Sequence, residues 1–467
     1  MFSLLQSWSR EGIAPMRILK QRLSELQIQW INNNSNRTDR IGDLISVIAE
    51  ACSRFGYKWC GDAKGLFLRY FDGVYRENVV QALNKKISEI FQDTGIKPRK
   101  SMIVEVKEAI KRQYNCMPED FDQNSAIINF KNGLFNTSSW TLEPHRQNYH
   151  SRIQIPVKYN SVAYCPKFTE FLDYVVENSN NPEEMKQTIL EMFGYCFTTD
   201  VSFGKAFILH SEEPDTGKST ILDILVFLVG SKNCSKTTLD NIAHNRFGKH
   251  PLAYKIMNYF PDLPSTPIEE NGILKDLITD KEFSFEGKGL PIQKHKNIIK
   301  LIFSCNELPP IKKMTLPFAK RWVLLHFNHV IQKENRKLNW AENNILIDEN
   351  ELEGIVNLSI NALKSLYQRK SFLNSSEQDI MHKWSMDSNI IYRFIRTVCT
   401  KTNDKHRWIE KRVMFSEFKK YCGNQGYNCK IALTGFSQGL KRLGFSNYDA
   451  GLKNAKRNRY YAGLTLK

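Results

Sequence analysis

The segment SEEPDTGKSTILDILVFL at 211–228 sets a lysine and two hydroxyl residues behind a glycine, directly after the apolar run Phe207, Ile208, Leu209. Strand, loop and helix in that order make a phosphate cradle. Backbone N–H groups and the helix N-terminus wrap the β-phosphate, Lys218 neutralises the β/γ oxygens, and the Ser219 hydroxyl is placed for Mg²⁺. Pro214, Asp215, Thr216, Gly217, Lys218, Ser219 and Thr220 are the expected nucleotide contacts, with Gly217 permitting close backbone approach. The general pattern asks for glycine at 212. Glu212 stands there instead, a carboxylate near phosphates and a residue less tolerant of unusual backbone angles.

Phosphoryl transfer also needs an acid for the metal, a polar residue near the γ-phosphate and a cation for the transition state. Asp262 ends the apolar run in KIMNYFPDLPS and is the expected metal acid. Asn306, in SCNELPP, sits where its amide could orient attacking water, and Arg321, in PFAKRWVLLHF, is the candidate cation. The elements that must position them are short apolar runs at 205–210, 254–260, 299–305 and 321–327. Runs of this kind suit strands buried on both faces of a parallel sheet, and helical segments at 218–229 and 270–279 separate some of them. An α/β core is expected there.

Around that core, 467 residues are enough for about three domains, and 41% hydrophobic with 25% charged residues describes an ordinary folded chain rather than a disordered or fibrous one. The net charge is +17, and residues 381–467 hold eighteen Lys and Arg against five Asp and Glu, so thirteen of those charges lie in the tail. Such a surface attracts polyanions. The longest apolar stretch, 221–230, falls short of the roughly 20 residues a membrane span needs, and Arg10 and Glu11 interrupt any leader-like start. No membrane association and a cytosolic compartment are expected. The ten cysteines include no CxxC pair and read as reduced thiols.

The organisation reads as a helix and linker (1–40), a mainly helical domain with a hairpin at 65–76 and a stranded connector at 127–159 (41–200), the core (201–335), a helical segment (336–377) and a basic tail (378–467). The tail shows helices at 390–400, 415–422 and 436–443 and then a basic strand pair at 453–467, the layout of a winged helix. Lys441, Arg442, Lys453, Lys456, Arg457 and Arg459, interleaved with Tyr460 and Tyr461, suit a duplex backbone. EFSFEGKGLPIQKHK at 282–296 alternates like a hairpin, with Lys288 between two glycines and Lys294, His295 and Lys296 behind it, a geometry for non-specific phosphate contacts. Asp120-Phe121-Asp122 has the spacing of a metal pair, but no apolar strand precedes it and it reads as structural.

The succession SEEPDTGKST, NYFPDLPS, GILKDLITDKEFSFEGKG, KLIFSCNELPP and FAKRWVLLHF, with INFKNGLFN and AYCPKFTEFL upstream, resembles the superfamily 3 helicases, specifically the phage and plasmid primase-helicases and related poxvirus-type proteins. That resemblance covers roughly residues 40–467. It implies an AAA+-like P-loop NTPase core in a multidomain α/β chain, with Lys218 and Ser219 in motif A, Asp262 in motif B, 275–289 in motif B-prime, Asn306 in motif C and Arg321 as an arginine finger. It further implies ATP and Mg²⁺, a ring usually of six copies, single-stranded and forked DNA in a channel gripped by the 282–296 hairpin, and a primase or polymerase as a working partner. The expected function is an ATP-dependent replicative DNA helicase; the alternatives are a DNA-binding initiator or scaffold with a structural nucleotide site, and, less well fitted to the tail, a small-molecule kinase.

Overall fold

In the computed structural model, the residues described are 13–32, 37–61, 65–263, 272–279, 282–289, 292–309, 315–373, 376–387, 389–401, 408–424, 430–443, 445, 447–449, 459–462 and 464–466. Helices α1 (Ile13–Asn32) and α2 (Arg37–Arg54) lead into strands β1 (Tyr57–Cys60), β2 (Leu66–Phe71) and β3 (Val74–Arg76). Asp72 and Gly73 both have positive φ, the geometry a tight two-residue turn between β2 and β3 requires. Helices α3 (Val80–Asp93) and α4 (Lys100–Gln113) follow, and β4 (Asn115–Cys116) returns parallel to β1, giving the sheet order β3-β2-β1-β4. A three-stranded connector, β5 (Ile127–Phe130), β6 (Gly133–Asn136) and β7 (Thr141–Glu143), then passes to helices α5 (Pro166–Val176) and α6 (Pro182–Phe197).

The core is a five-stranded parallel sheet. Its strands are β8 (Ala206–His210), β9 (Cys234–Ser235), β10 (Met257–Phe260), β13 (Lys300–Cys305) and β14 (Trp322–His326), in the order β14-β8-β13-β10-β9. Phe207, Leu209, Ile302, Val323 and Leu325 enter one apolar core with α5, α6 and the helix α7 (Lys218–Val229), while Ala206, Ile208, Leu301, Phe303 and Trp322 enter a second core on the opposite face. The period-two alternation of a strand buried on both sides explains why these runs read as continuously apolar. Helix α8 (Leu239–His244) lies before β10; α9 (Gly272–Thr279) and the antiparallel pair β11 (Glu282–Phe285) and β12 (Gln293–Lys296) lie between β10 and β13.

After the short helix α10 (Leu316–Ala319) and β14 come α11 (Trp340–Asn344) and the long α12 (Glu349–Arg369), which locks onto α5 and α6. A Cβ at Gly194 in α6 would stand 2.3 Å from the Ser359 carbonyl oxygen of α12, so the two helix backbones meet too closely for any side chain there. Buried Glu191 accepts two 2.7 Å bonds from Arg369 Nη2, and buried Glu351 accepts the free N–H groups of Lys167 and Phe168 at the start of α5. Both carboxylates are thus paired where isolated charges would be costly.

Helix α13 (Glu377–Asp387), which a boundary at 378 assigns to the tail, packs against the core sheet. Ile380 and Trp384 are fully buried with Phe318 and Trp322, and Trp384 Nε1 donates to the Pro309 carbonyl at 2.8 Å. The tail proper holds α14 (Ile390–Val398), β15 (Cys399–Lys401), β16 (Trp408–Glu410), α15 (Lys411–Asn424), α16 (Leu433–Arg442), β17 (Asn447–Asp449), β18 (Arg459–Ala462) and β19 (Leu464–Leu466). Its terminal strands do not form the hairpin expected at 453–467. β18 sits between β16 and β17, and β19 pairs with β15, because each meets a partner from the front of the tail that closes its small core. Trp384→Ala is expected to cost about 3–5 kcal/mol in denaturant-induced unfolding, the usual cost of emptying a buried aromatic site; a loss under 1 kcal/mol would show that α13 is not part of the sheet's packing.

Candidate functional site

Residues 211–217 join the C-terminal end of β8 to α7. Lys218, the first residue of α7, is buried, and its ammonium donates to Thr216 Oγ1 (3.3 Å), Asn306 Oδ1 (3.0 Å) and Ser211 Oγ. Burial pushes its pKa down, and neighbouring Cys305, Asp215 and Asp262 act in the opposite direction. The loop is pinned from both sides. Asp215, at φ +57°, pairs with Arg336 Nη1 at 2.6 Å and accepts the Ile331 N–H at 2.9 Å, while Ser211 Oγ donates to the Glu213 carbonyl at 2.6 Å. Glu212, Glu213, Pro214 and Asp215 are exposed, as is Ser219; Thr220 is half-buried and Thr216 buried.

Gly217 has φ +84°, and a Cβ there would meet Val175 Cγ1 at 2.6 Å. Glycine is therefore required by left-handed backbone and by contact with α5, a different reason from the open approach to phosphate expected from the sequence.

Asp262 follows β10 and is exposed at the same edge of the sheet as Lys218. Its turn is held by Leu263 N donating to the Ser304 carbonyl (2.8 Å) and Ser304 Oγ donating to the Pro261 carbonyl. Asn306 lies just past β13, its side-chain oxygen already on Lys218. Three adjacent parallel strands thus deliver Lys218, Asn306 and Asp262 to one place. Arg321 is not there: it precedes β14, its carbonyl accepting from Ala206 N at 2.8 Å and its Nη1 donating to the Pro317 carbonyl at 2.7 Å. At about 3.3 Å per strand residue, the five residues of β14 put it roughly 16 Å from the loop edge.

In the β11/β12 pair Lys288 and Lys294 are exposed. His295 and Lys296, expected to touch nucleic acid, are engaged elsewhere. The His295 ring stacks on Phe285 (4.7 Å, 23°) and meets the edge of Tyr254 (4.4 Å), and Lys296 Nζ, with its pKa lowered by burial, donates to the Gln123 carbonyl at 2.7 Å. Both were read from a charge cluster, and alternation in β12 turns successive residues to different surroundings. Lys441 and Arg442 are exposed at the end of α16; Arg459 begins β18; Lys453, Lys456 and Arg457 lie outside the described residues. Asp122 is buried and accepts from Ser151 Oγ (2.6 Å) and Arg152 N (3.0 Å), and Asp120 accepts the Met117 N–H, so both have structural partners.

Sequence reasoning missed Ser211, Arg336, Arg393 and Arg396. Arg393 Nη1 lies 2.7 Å from Glu307 Oε2 and its Nη2 2.6 Å from the Leu308 carbonyl, next to Asn306; Arg396 Nη1 lies 3.0 Å from Glu212 Oε1. The one sequence signal that bears on Arg396 is the carboxylate at 212, a charge that a cation can pair. Among the described residues, no three His, Cys, Asp or Glu side chains group to hold a metal, and no helix is long and apolar enough to cross a membrane.

The D5 N terminal like family matches residues 29–177, and a family of unknown function (DUF5906) matches residues 209–321. Both are typical of phage and viral primase-helicase proteins. Among curated proteins nothing matches. Among solved structures, the A form apo structure of the NrS-1 C terminal region is 13% identical with a TM-score of 0.48, covering 89% of this chain and 98% of that one. A second apo structure of the NrS-1 C terminal region (305–718) is 12% identical with a TM-score of 0.47, covering 90% and 98%.

Gly217→Ala is expected to lose about 1–3 kcal/mol of stability through its strained φ and the contact with Val175. Adding Val175→Ala should recover the contact's share and leave the backbone's share. If the double variant is no more stable than the sum of the two single changes, the packing role of Gly217 is wrong.

Proposed function

We propose that this protein is an ATP-dependent replicative DNA helicase whose motor is a P-loop NTPase of the superfamily 3, AAA+-like type, working as a ring on single-stranded and forked DNA. The observation that carries the reading is the convergence of Lys218, Asn306 and Asp262 at the C-terminal tips of neighbouring parallel strands, the side on which open α/β sheets bind ligands. Ser219 and Asp262, both exposed, would hold Mg²⁺, which would neutralise charge on the phosphate oxygens; the exposed 212–215 loop and the α7 N-terminus fit the phosphates themselves.

In this reading Lys218 exchanges its hydroxyl and amide partners for β/γ oxygens, so the ammonium is already desolvated and aimed when nucleotide binds. That spares reorganisation at the moment of reaction. Asn306, released from Lys218, orients the attacking water. Arg321, at the far end of β14 from its own loop, serves the neighbouring copy's site, which makes the ring necessary for turnover. Lys288 at the hairpin tip contacts the backbone of a single strand, and the tail is a winged helix whose Lys441 and Arg442 face duplex phosphates; a primase or polymerase is the partner that would use the unwound template.

Lys218→Ala should abolish ATP hydrolysis in a phosphate-release assay without loss of fold, whereas Lys288→Ala should keep hydrolysis and lose unwinding of a forked duplex. Hydrolysis at wild-type rate by Lys218→Ala would exclude the motor and favour an initiator with a structural site. Hydrolysis and unwinding lost together in Lys288→Ala would make that lysine structural.

Mixing Lys218→Ala with Arg321→Ala chains tests the shared site. An arginine finger is worth about 10³–10⁵ in rate, and mixed rings contain some interfaces with both groups intact, so two inactive proteins should together regain ATPase activity. If rings of wild-type with either mutant keep partial activity and the mutant mixture stays inactive, Arg321 does not act across the interface.

A further inference from the structure

Glu212 is the residue that breaks the phosphate-loop pattern, and its carboxylate meets Arg396 of the tail helix α14 at 3.0 Å. One turn earlier on the same helix, Arg393 is almost completely buried and holds both Glu307 and the Leu308 carbonyl, immediately after Asn306. Two arginines spaced i, i+3 therefore reach from one helix face to the loop and to the strand tip that flank Lys218. They differ in kind. The side chain of Arg393 is 2% exposed and fixed by two partners, whereas Arg396 and Glu212 are 30% and 36% exposed, and half-exposed ion pairs are weak enough to exchange.

The surroundings favour an anion. His210, the last residue of β8, stacks on His326 at 5.0 Å with Nδ1 atoms 3.0 Å apart. Burial keeps both rings neutral, and Lys383, Lys218 and Arg396 all stand near enough to hold their pKa values down further. Three cations thus act on the end of β8, where Glu212 is the carboxylate paired with Arg396, and Asp215 and Asp262 lie near Lys218.

We infer that Arg396 is a further phosphate-binding residue of the nucleotide site, held by Glu212 until the terminal phosphate of a nucleoside triphosphate takes that carboxylate's place. This rests on the nucleotide reading of the loop. A terminal phosphate carries more charge and more acceptor oxygens than a carboxylate and forms stronger charge-assisted bonds with a guanidinium. A diphosphate lacks the group that makes the exchange, so it leaves the Glu212 pair intact. Because Arg396 is part of α14, the exchange reports the presence of the terminal phosphate to the basic tail.

The test is calorimetric titration of the full chain, with Mg²⁺, by ADP and by a slowly hydrolysed ATP analogue, in wild type, Arg396→Gln, Arg396→Lys and Glu212→Gln. Losing a charged hydrogen bond is expected to weaken the triphosphate about 10-fold or more in Arg396→Gln while ADP stays within about twofold. Arg396→Lys should restore part of the loss, and Glu212→Gln, which removes the competitor, should tighten the triphosphate selectively. Equal weakening of both nucleotides by Arg396→Gln overturns the inference and makes the pair a structural clamp. Should Arg396→Gln fail to fold, amide hydrogen exchange at 390–398 in the wild type decides: exchange that differs between the two nucleotide complexes supports the inference, and identical exchange overturns it. If the wild type binds neither nucleotide, it is the nucleotide site itself that fails, and the inference falls with it.

Discussion

The parallel register of β8 with β13, and of β13 with β10, is the constraint on which the rest of the site depends. Cys305 pairs with His210, so β8 and β13 end level, and Phe260 pairs with Phe303, so β10 ends two residues earlier and Asp262, two residues on, comes to the same edge. β8 and β13 are buried on both faces, so most of their interior positions are spent on packing and the polar chemistry gathers beyond their ends. Asn306 and Asp262 follow the ends of β13 and β10, and the loop after β8 brings Lys218 back to them at the start of α7. The same register sends Arg321 to the other end of the sheet, so an arginine adjacent in topology to the loop strand is far from the loop in space.

The surrounding helices keep this edge from drifting. Glu351 of α12 caps α5, Glu191 of α6 is clamped by Arg369 of α12, and the Gly194 contact brings those two helices together at backbone distance. Helix α5 in turn presses Val175 against Gly217 at the mouth of the loop. The N-terminal region is tied to the core by Arg152 lying 4.0 Å over Tyr254 and by Lys296 on the Gln123 carbonyl. A polar group held in place by several buried partners is ready for chemistry before any ligand arrives.

Much of this was legible in the residues. The four apolar runs became strands within two or three residues of their expected limits, and the 218–229 helix is the observed one, because continuous apolarity followed by a glycine-lysine turn is a strong local pattern. Long-range pairing left no such trace. Nothing in ENRKLNW marks Arg336 as the partner of Asp215, and the RFIR segment gives no sign that it docks Arg393 on Glu307. β4 escaped notice because two residues are too few to show a period, and His295 and Lys296 were read as nucleic-acid contacts because a charge cluster does not reveal which member turns inward. Glu212 was legible as an anomaly and illegible in its cause, since its partner lies 184 residues further along the chain.

The burial of Trp384 against Trp322 has a consequence for how such chains change over time. The polar pair Asn374-Ser375 in the sequence invites a crossover by which a tail could be exchanged between related chains. A crossover there would swap α13 along with the tail, and a foreign α13 would have to fill the pocket around Phe318 and Trp322 and reach the Pro309 carbonyl. Recombinants that join between 387 and 390 keep that helix with its own sheet, but they must still supply an arginine pair at the spacing of Arg393 and Arg396. The tail is therefore inherited with the sheet domain that it touches, and its sequence should drift in step with residues 212 and 307 rather than independently of them.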